Sequence, residues 1–166
     1  MLIIYNFVNT QKVKQIHWGD ESMKDFAWWL NTLFSGMDEK MGRKEKEGAF
    51  EKCGRACFQS CGLTDSITDL KSKTSDVGEL LAELNKAGIG GGNLKLEGGK
   101  ISGVYEKCYC PYRNALGESI SPNFCNCTKG WAKSLLENIL DKPVEVELVQ
   151  SIGRGDKVCR FEARLD

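Results

Sequence analysis

Apolar residues in the first half of the chain recur at the spacing of an α-helix. Asp20 or Ser22 can cap a helix whose apolar face repeats every three or four residues. The residues of that face are Met23, Phe26, Ala27, Leu30, Leu33, Phe34 and Met37. Two further helices are predicted over residues 50–61 and 75–88, each closed by a glycine.

Two polar stretches separate these helices. Residues 38–47 mix both signs of charge, a pattern typical of a solvated connection between helices. Residues 64–75 are rich in serine, threonine and aspartate and predict a loop, with a short turn of helix as the alternative. The first half of the chain is therefore expected to be a set of helices joined by exposed segments.

The apolar period changes to two in the second half of the chain. Leu94 and Leu96 alternate with charged residues before a Gly-Gly turn, which predicts a β-hairpin over residues 94–107. The same alternation predicts a second hairpin over residues 144–165, and a helix over residues 128–140 precedes it. Helices packed on an antiparallel sheet define an α+β fold.

Length and charge limit the domain organisation and the partners. We expect one domain over residues 1–166, with a helical half at 1–88 and an α+β half at 93–166. Lys plus Arg equals Asp plus Glu at 23 each, so the chain lacks the basic field that draws proteins onto nucleic acid or anionic membranes. The N-terminus carries no positive region before its short apolar run, so neither a signal peptide nor a membrane span is predicted. The expected location is cytoplasmic.

Eight cysteines are the main chemical feature of the chain. In a reducing compartment such cysteines serve metal or redox chemistry more often than disulfides. Cys108 and Cys110 form one Cys-x-Cys motif, and Cys125 and Cys127 form another. Residues two apart in an extended segment project to one side, so the two motifs together can supply four thiolates. Four thiolates suit tetrahedral zinc or an iron–sulfur cluster, the two predicted cofactors.

The second motif has an alternative chemical use. Cys125 and Cys127 lie just before the predicted helix at residues 128–140, where the positive end of the helix dipole lowers the pKa of a thiol. Both are therefore candidate nucleophiles or redox centres. The single histidine, His17, lies far away in the sequence and is interpreted as an ordinary surface or capping residue.

A third group of thiols is predicted on the helix over residues 50–61. Cys53, Cys57 and Cys61 are four residues apart and lie near one face of that helix. The charge of the nearby Arg55 would favour their thiolates. A simpler interpretation is that the small residues of this helix pack close to a neighbour. If the helix docks on the two Cys-x-Cys motifs, the thiols line a single pocket.

The C-terminal quarter carries a family pattern. A cysteine precedes Gly130-Trp131, a Lys-Pro-Val-Glu run begins at Lys142, and the pattern ends with Gly-Asp-Lys-Val-Cys-Arg-Phe-Glu over residues 155–162. Over residues 125–165 the chain resembles the 4-vinyl reductase domain family. The whole chain also resembles uncharacterised cysteine-rich bacterial proteins and is distantly similar to the L-2-amino-thiazoline-4-carboxylate hydrolase family.

This resemblance implies a fold and a metal site. The implied fold is the ligand-binding α/β fold of nitric-oxide-signalling and Golgi-transport proteins, used by small-molecule sensors. The implied zinc ligands are Cys159 and either Cys125 or Cys127. Ser151 and Leu148 stand where other members place a cysteine and an acidic ligand. A metal would therefore recruit Cys108, Cys110 or the helical cysteines instead.

Three functions follow from these patterns. The leading hypothesis is a small-molecule or metal sensor module with a cysteine-lined pocket, and binding is favoured over catalysis. The alternatives are a cysteine-dependent enzyme, either a small-molecule hydrolase or a thiol redox protein, and a structural or interaction domain. The expected partner is a small molecule, with a second copy of the chain as a further candidate. The expected pocket residues are Trp131, Tyr112, Phe124, Cys53 and Cys57. Trp28 and Trp29 cannot both face one side of their helix, and they are interpreted first as core residues. The alternatives are a second buried surface or an interface for one of them, or the apolar walls of the pocket.

Overall fold

The computed structural model describes residues 20–116 and 121–165, so His17 and the apolar N-terminal run lie outside the described residues. The helices are α1 (Asp20–Lys40), α2 (Arg43–Ser60), α3 (Leu63–Lys73), α4 (Val77–Lys86), α5 (Pro111–Leu116) and α6 (Cys127–Leu140). The strands are β1 (Leu94–Glu97), β2 (Lys100–Tyr105), β3 (Val146–Gln150) and β4 (Cys159–Arg164). Within the described ranges, no helix combines the length and apolarity that crossing a bilayer requires.

The four strands form one antiparallel sheet in the order β1-β2-β4-β3. Both predicted hairpins are present, and β2 pairs with β4 to join them. Gly103 on β2 lies opposite Phe161 on β4, and a Cβ atom at Gly103 would overlap the Phe161 ring. The glycine therefore makes room for a large core side chain. The predicted α+β fold is confirmed.

Helix α6 is the centre of the main hydrophobic core. Its apolar face is fully buried at Leu135 and Leu136 and packs against the sheet, where Ile101 and Phe161 are also fully buried. Helices α2, α3 and α4 cover the remaining sides and contribute Phe58, Ile67, Leu80, Leu81 and Leu84. Burial of each such side chain stabilises the fold by about 1.5–3 kcal/mol relative to exposure.

Most of the segment over residues 64–75 lies in helix α3, so the prediction of a loop with no more than a short turn of helix is wrong. Helix α3 buries Ile67, which is only 2% exposed, and packs Leu63 and Leu70 against the main core. These three positions share one helical face at intervals of four and three residues. The many polar residues occupy the solvated face of α3. Because they outnumber the apolar positions, the helical period of this segment is hard to recognise in the sequence.

The charged stretch at residues 38–47 is mostly helical. Helix α1 continues to Lys40 and α2 begins at Arg43, so the connection is only two residues long. The amide of Gly42 donates to the Glu45 carboxylate over 2.8 Å, and Arg43 pairs with Glu47 over 2.7 Å. These short-range contacts supply the first turn of α2 with hydrogen-bond partners.

A second, smaller core lies between α1 and α2. Phe34, Phe50 and Phe124 pack with ring centroids 5.4–6.2 Å apart. Trp28 and Trp29 lie on other faces of α1 and are 69% and 54% exposed. The expectation that these tryptophans belong to the core is therefore wrong.

Helices α2 and α6 approach each other backbone to backbone. A Cβ atom at Gly54 would overlap the carbonyl oxygen of Cys127 and lie 2.7 Å from the amide nitrogen of Trp131. A Cβ atom at Gly130 would likewise overlap the carbonyl oxygen of Glu51. Each helix thus contributes one glycine to the crossing, because any larger residue would push the helices apart.

Substitution at this crossing tests its importance. Gly54→Ala should lower the free energy of unfolding by at least about 1–3 kcal/mol, because the new methyl group has no space. Gly48→Ala is the matched control, since it lies in the same helix with nothing within 4 Å of its Cβ position. It should be neutral or stabilising by about 0.5–1 kcal/mol. Urea denaturation measures both, and equal effects would contradict the close crossing.

Candidate functional site

The helix crossing brings most of the cysteines to one region. Cys57 lies one turn after Gly54 on α2, and Cys127 is the first residue of α6. The loop before α5 and the end of the sheet complete the region. Seven thiols lie close enough for the charge of each to act on another. This thiol cluster consists of Cys57, Cys61, Cys108, Cys110, Cys125, Cys127 and Cys159.

Cys110 is the most strongly activated thiol of the cluster. The backbone amide of Arg113 donates a hydrogen bond to its sulfur over 3.5 Å. Interaction with the Cys127 thiol, this hydrogen bond and the Arg113 charge outweigh burial and lower the pKa of Cys110 to about 6. Cys110 is therefore mainly a thiolate at neutral pH.

Cys127 has the opposite character. Interaction with the Cys110 sulfur, together with burial, holds the pKa of its thiol well above the ordinary range. This direction is opposite to the one that its place at a helix start predicts. Cys110 and Cys127 thus form an interacting pair in which one pKa is lowered and the other is raised.

A second group of polar atoms surrounds Gly153. A Cβ atom at Gly153 would overlap the Cys125 sulfur and lie 3.0 Å from Nη1 of Arg113. The Cys159 sulfur accepts the amide hydrogen of Ile152 over 3.3 Å, and burial raises the pKa of this thiol. Nη1 of Arg113 is buried and has no hydrogen-bond partner among the described residues. The guanidinium group therefore lies near Cys110 on one side and near Cys125 on the other.

Ser151 and Leu148, the two positions that the family resemblance singles out, are both buried. Ser151 is fully buried beside the Cys159 thiol, so it does occupy the expected place near Cys125 and Cys159. Leu148 is buried and faces Phe161 across the sheet, as a core residue does. Ser151 would be a weak ligand for a metal ion, and the Leu148 side chain has no atom that can bind one.

The predicted metal ligands are neighbours without forming a coordination site. Cys108, Cys110, Cys125 and Cys127 all belong to the thiol cluster, with Cys159 beside them. Nevertheless, across residues 20–116 and 121–165 no group of three or more His, Cys, Asp or Glu residues could hold a metal ion. The arrangement of these side chains does not fit the predicted metal, and zinc or an iron–sulfur cluster stays a prediction from the sequence.

The predicted pocket residues are spread over several surfaces. Trp131 packs edge-on against Phe58 at 5.7 Å, and Phe124 belongs to the smaller core. Tyr112 is 56% exposed on α5, and Cys53 is exposed on α2. Of the five predicted pocket residues, Cys57 is the one that lies in the thiol cluster.

Two cavities are lined by residues outside the thiol cluster. One, of about 440 Å³, is an apolar groove along α1 beside Trp29, Leu33 and Met37. The other, of about 380 Å³, is polar. Its lining residues are Arg43, Lys46, Glu47, Asn123, Asn126 and Arg154.

Sequence reasoning missed Arg113 and the activation of Cys110. Both depend on α5, a six-residue helix that begins at Pro111. Proline is common at the first position of a helix, so Pro111 was the available signal for α5. The residue before it is the N-cap, whose side chain can accept a hydrogen bond from an amide of the first turn. Cys110 occupies that preceding position, and its carbonyl accepts the Asn114 amide over 3.1 Å.

A solved structure with a similar fold is known. The crystal structure of the phenol-responsive sensory domain of the transcription activator PoxR with phenol matches with a TM-score of 0.52. The match covers 84% of this chain and 74% of that chain at 15% identity, so it shows a shared fold. The chain belongs to the family of unknown function DUF6144, whose model matches residues 3–164. No curated protein sequence matches it, and membership of the 4-vinyl reductase family is not shown.

The contact at Gly153 is open to a direct test. Gly153→Ala should displace the Cys125 sulfur and lower the free energy of unfolding by about 1–3 kcal/mol. In a Cys125→Ala background the same change should cost less, because the sulfur that it would overlap is gone. A double-mutant cycle by urea denaturation measures this coupling. Strictly additive effects would show that the two residues do not touch.

Proposed function

We propose that this chain is a small-molecule sensor module whose input is read by the thiol cluster. The reactive group of the module is the thiolate of Cys110. A shared fold with a phenol-responsive sensory domain supports the sensor part of the proposal. The environment of Cys110 carries the thiol part, because the Arg113 amide donates to its sulfur and its pKa is lowered while that of the neighbouring Cys127 is raised.

The chemistry of a thiolate restricts the class of ligand. A thiolate is a soft nucleophile, and its reactivity depends on both its ionised fraction and its intrinsic nucleophilicity. A pKa of about 6 gives Cys110 a high ionised fraction at neutral pH while leaving the sulfur moderately basic. The matching ligands are small electrophiles or oxidants, which accept an electron pair from sulfur.

Three other thiols of the cluster have raised pKa values, which makes them less reactive than Cys110. Burial and the neighbouring thiols Cys61 and Cys110 raise the pKa of Cys57 to about 11. Burial also raises the pKa of Cys108 and of Cys159. These thiols remain protonated at neutral pH and react slowly. The proposal therefore includes a reducing, cytoplasmic setting, in which the eight free cysteines stay reduced.

Alkylation as a function of pH tests the proposal. With iodoacetamide and peptide mass spectrometry, the rate at Cys110 should be half-maximal near pH 6 and level above neutral pH. Its rate rises with pH only until the thiolate is fully formed. The peptide that carries the exposed Cys53 provides the comparison in the same experiment.

Two variants complete the experiment. Cys110→Ser should abolish the fast phase at pH 7, whereas Cys53→Ser is the matched control and should leave it unchanged. If Cys53 or any other thiol reacts faster than Cys110 at pH 7, the assignment of the reactive sulfur is wrong. Peptide mapping of the wild-type chain gives the same information even if a variant does not fold.

A further inference from the structure

Helix α1 exposes several large apolar side chains. Phe26 is 48% exposed, Trp28 69%, Trp29 54% and Leu33 45%. Apolar side chains that are grouped on a surface, rather than scattered singly, mark a site of interaction with another molecule. The buried face of α1 is a different one, so packing within the described residues does not account for this group.

Three of these side chains share one face of α1 with the apolar groove. Phe26, Trp29 and Leu33 are three and four residues apart, which places them on the same side of a helix. The groove of about 440 Å³ runs along this face from Trp29 past Gly36 to Lys40. Gly36 leaves a gap in the face, because nothing lies within 4 Å of the position that its Cβ atom would take.

The same face carries opposite charges near its two ends. Asp25 is exposed near the start of the face, and Lys40 is exposed at its end. Among the described residues neither side chain has an ion-pair partner. Asp25 lies seven residues before Thr32, and Lys40 lies seven residues after Leu33. The two charges are therefore placed symmetrically about the middle of the face.

We propose that this face binds the α1 helix of a second copy of the chain, in an antiparallel dimer with two-fold symmetry. The axis passes between Thr32 and Leu33. Trp29 lies three residues before Thr32 and Gly36 lies three residues after Leu33, so Trp29 of each copy faces the gap at Gly36 of the other. The contact uses no residue of the thiol cluster, so it stands apart from the proposed function.

The charges favour a second copy over an unrelated partner. In the antiparallel arrangement, Asp25 of each copy lies opposite Lys40 of the other, so both ends of the contact are matched in charge. The positive end of each helix dipole also lies beside the negative end of the other. A partner of different sequence would not need this symmetric spacing. The face is complementary to itself when its direction is reversed.

The size of the contact determines its expected strength. Helix α1 has 21 residues, which corresponds to a length of about 30 Å. One pair of such helices is a small contact beside the about 1,600 Å² that a standard protein interface buries. We therefore expect a reversible dimer whose population depends on concentration.

Sedimentation velocity of the full chain over a wide range of concentration is the first test. A reductant is present, so that the exposed Cys53 does not link two copies through a disulfide. The chain should sediment as a monomer–dimer equilibrium, with more dimer at higher concentration. A chain that stays monomeric at every concentration, or that forms only larger assemblies, would overturn the proposal.

The two adjacent tryptophans supply a matched pair of variants. Trp29→Ala should weaken the dimer by about tenfold or more, because the side chain that enters the gap at Gly36 is lost. Trp28→Ala removes a side chain of the same size from another side of α1, and it should leave the dissociation constant unchanged. Equal effects of the two variants would place the contact on another surface and refute the proposal.

An exchange of charges tests the antiparallel alignment. Asp25→Lys and Lys40→Asp should each weaken the dimer by about threefold to tenfold, because each puts like charges opposite one another at both ends. The double variant restores opposite charges and should recover most of the lost affinity. Lys52→Asp, at an exposed position of α2, is the matched control and should leave the affinity unchanged.

A double variant that is as weak as the single ones would exclude this alignment. Circular dichroism of each variant shows whether a loss of association reflects a loss of fold. If one variant does not fold, the other pair of variants still decides the outcome. The dimer and the thiol proposal fail separately, since Cys110→Ser should leave the sedimentation of the reduced chain unchanged.

Discussion

The crossing of α2 and α6 is the constraint on which the rest of the structure depends. Gly54 and Gly130 let the two backbones touch, and ion pairs border the contact, from Arg55 to Glu137 over 2.5 Å and from Lys133 to Glu51 over 3.2 Å. Because backbone lies on backbone, no side-chain rearrangement can absorb a change there. The same crossing places the thiols of α2 beside the start of α6.

Burial and hydrogen bonding act in opposite directions within the thiol cluster. Burial alone disfavours a charged sulfur, and it raises the pKa of Cys57 and Cys159. Cys110 is the exception because the Cys127 thiol and the backbone amides of Tyr112 and Arg113 favour the charged form of its sulfur. The pKa of Cys110 is thereby lowered, whereas raised pKa values are found at Cys57, Cys108, Cys127 and Cys159. This difference, rather than the number of cysteines, gives the site its proposed chemistry.

The accuracy of the sequence-based predictions follows the strength of the local pattern. Long periodic segments such as α1 and the two hairpins were predicted because their apolar positions repeat several times. The shorter α3 was missed because its polar face contains most of its residues. The six-residue α5 was missed because it offers too few apolar positions to show a period. Arg113 was missed with it, although its neighbours Cys108 and Cys110 were chosen as candidates.

The sequence by itself determined the α+β fold, the two hairpins and the grouping of cysteines into motifs, because each depends on spacing along the chain. Only the tertiary structure decided which thiol has a lowered pKa. That property depends on contacts between segments far apart in sequence: Cys127 against Cys110, and α2 against α6 at Gly54. The pKa of a thiol is set by its neighbours in space, and the spacing of residues does not contain that information.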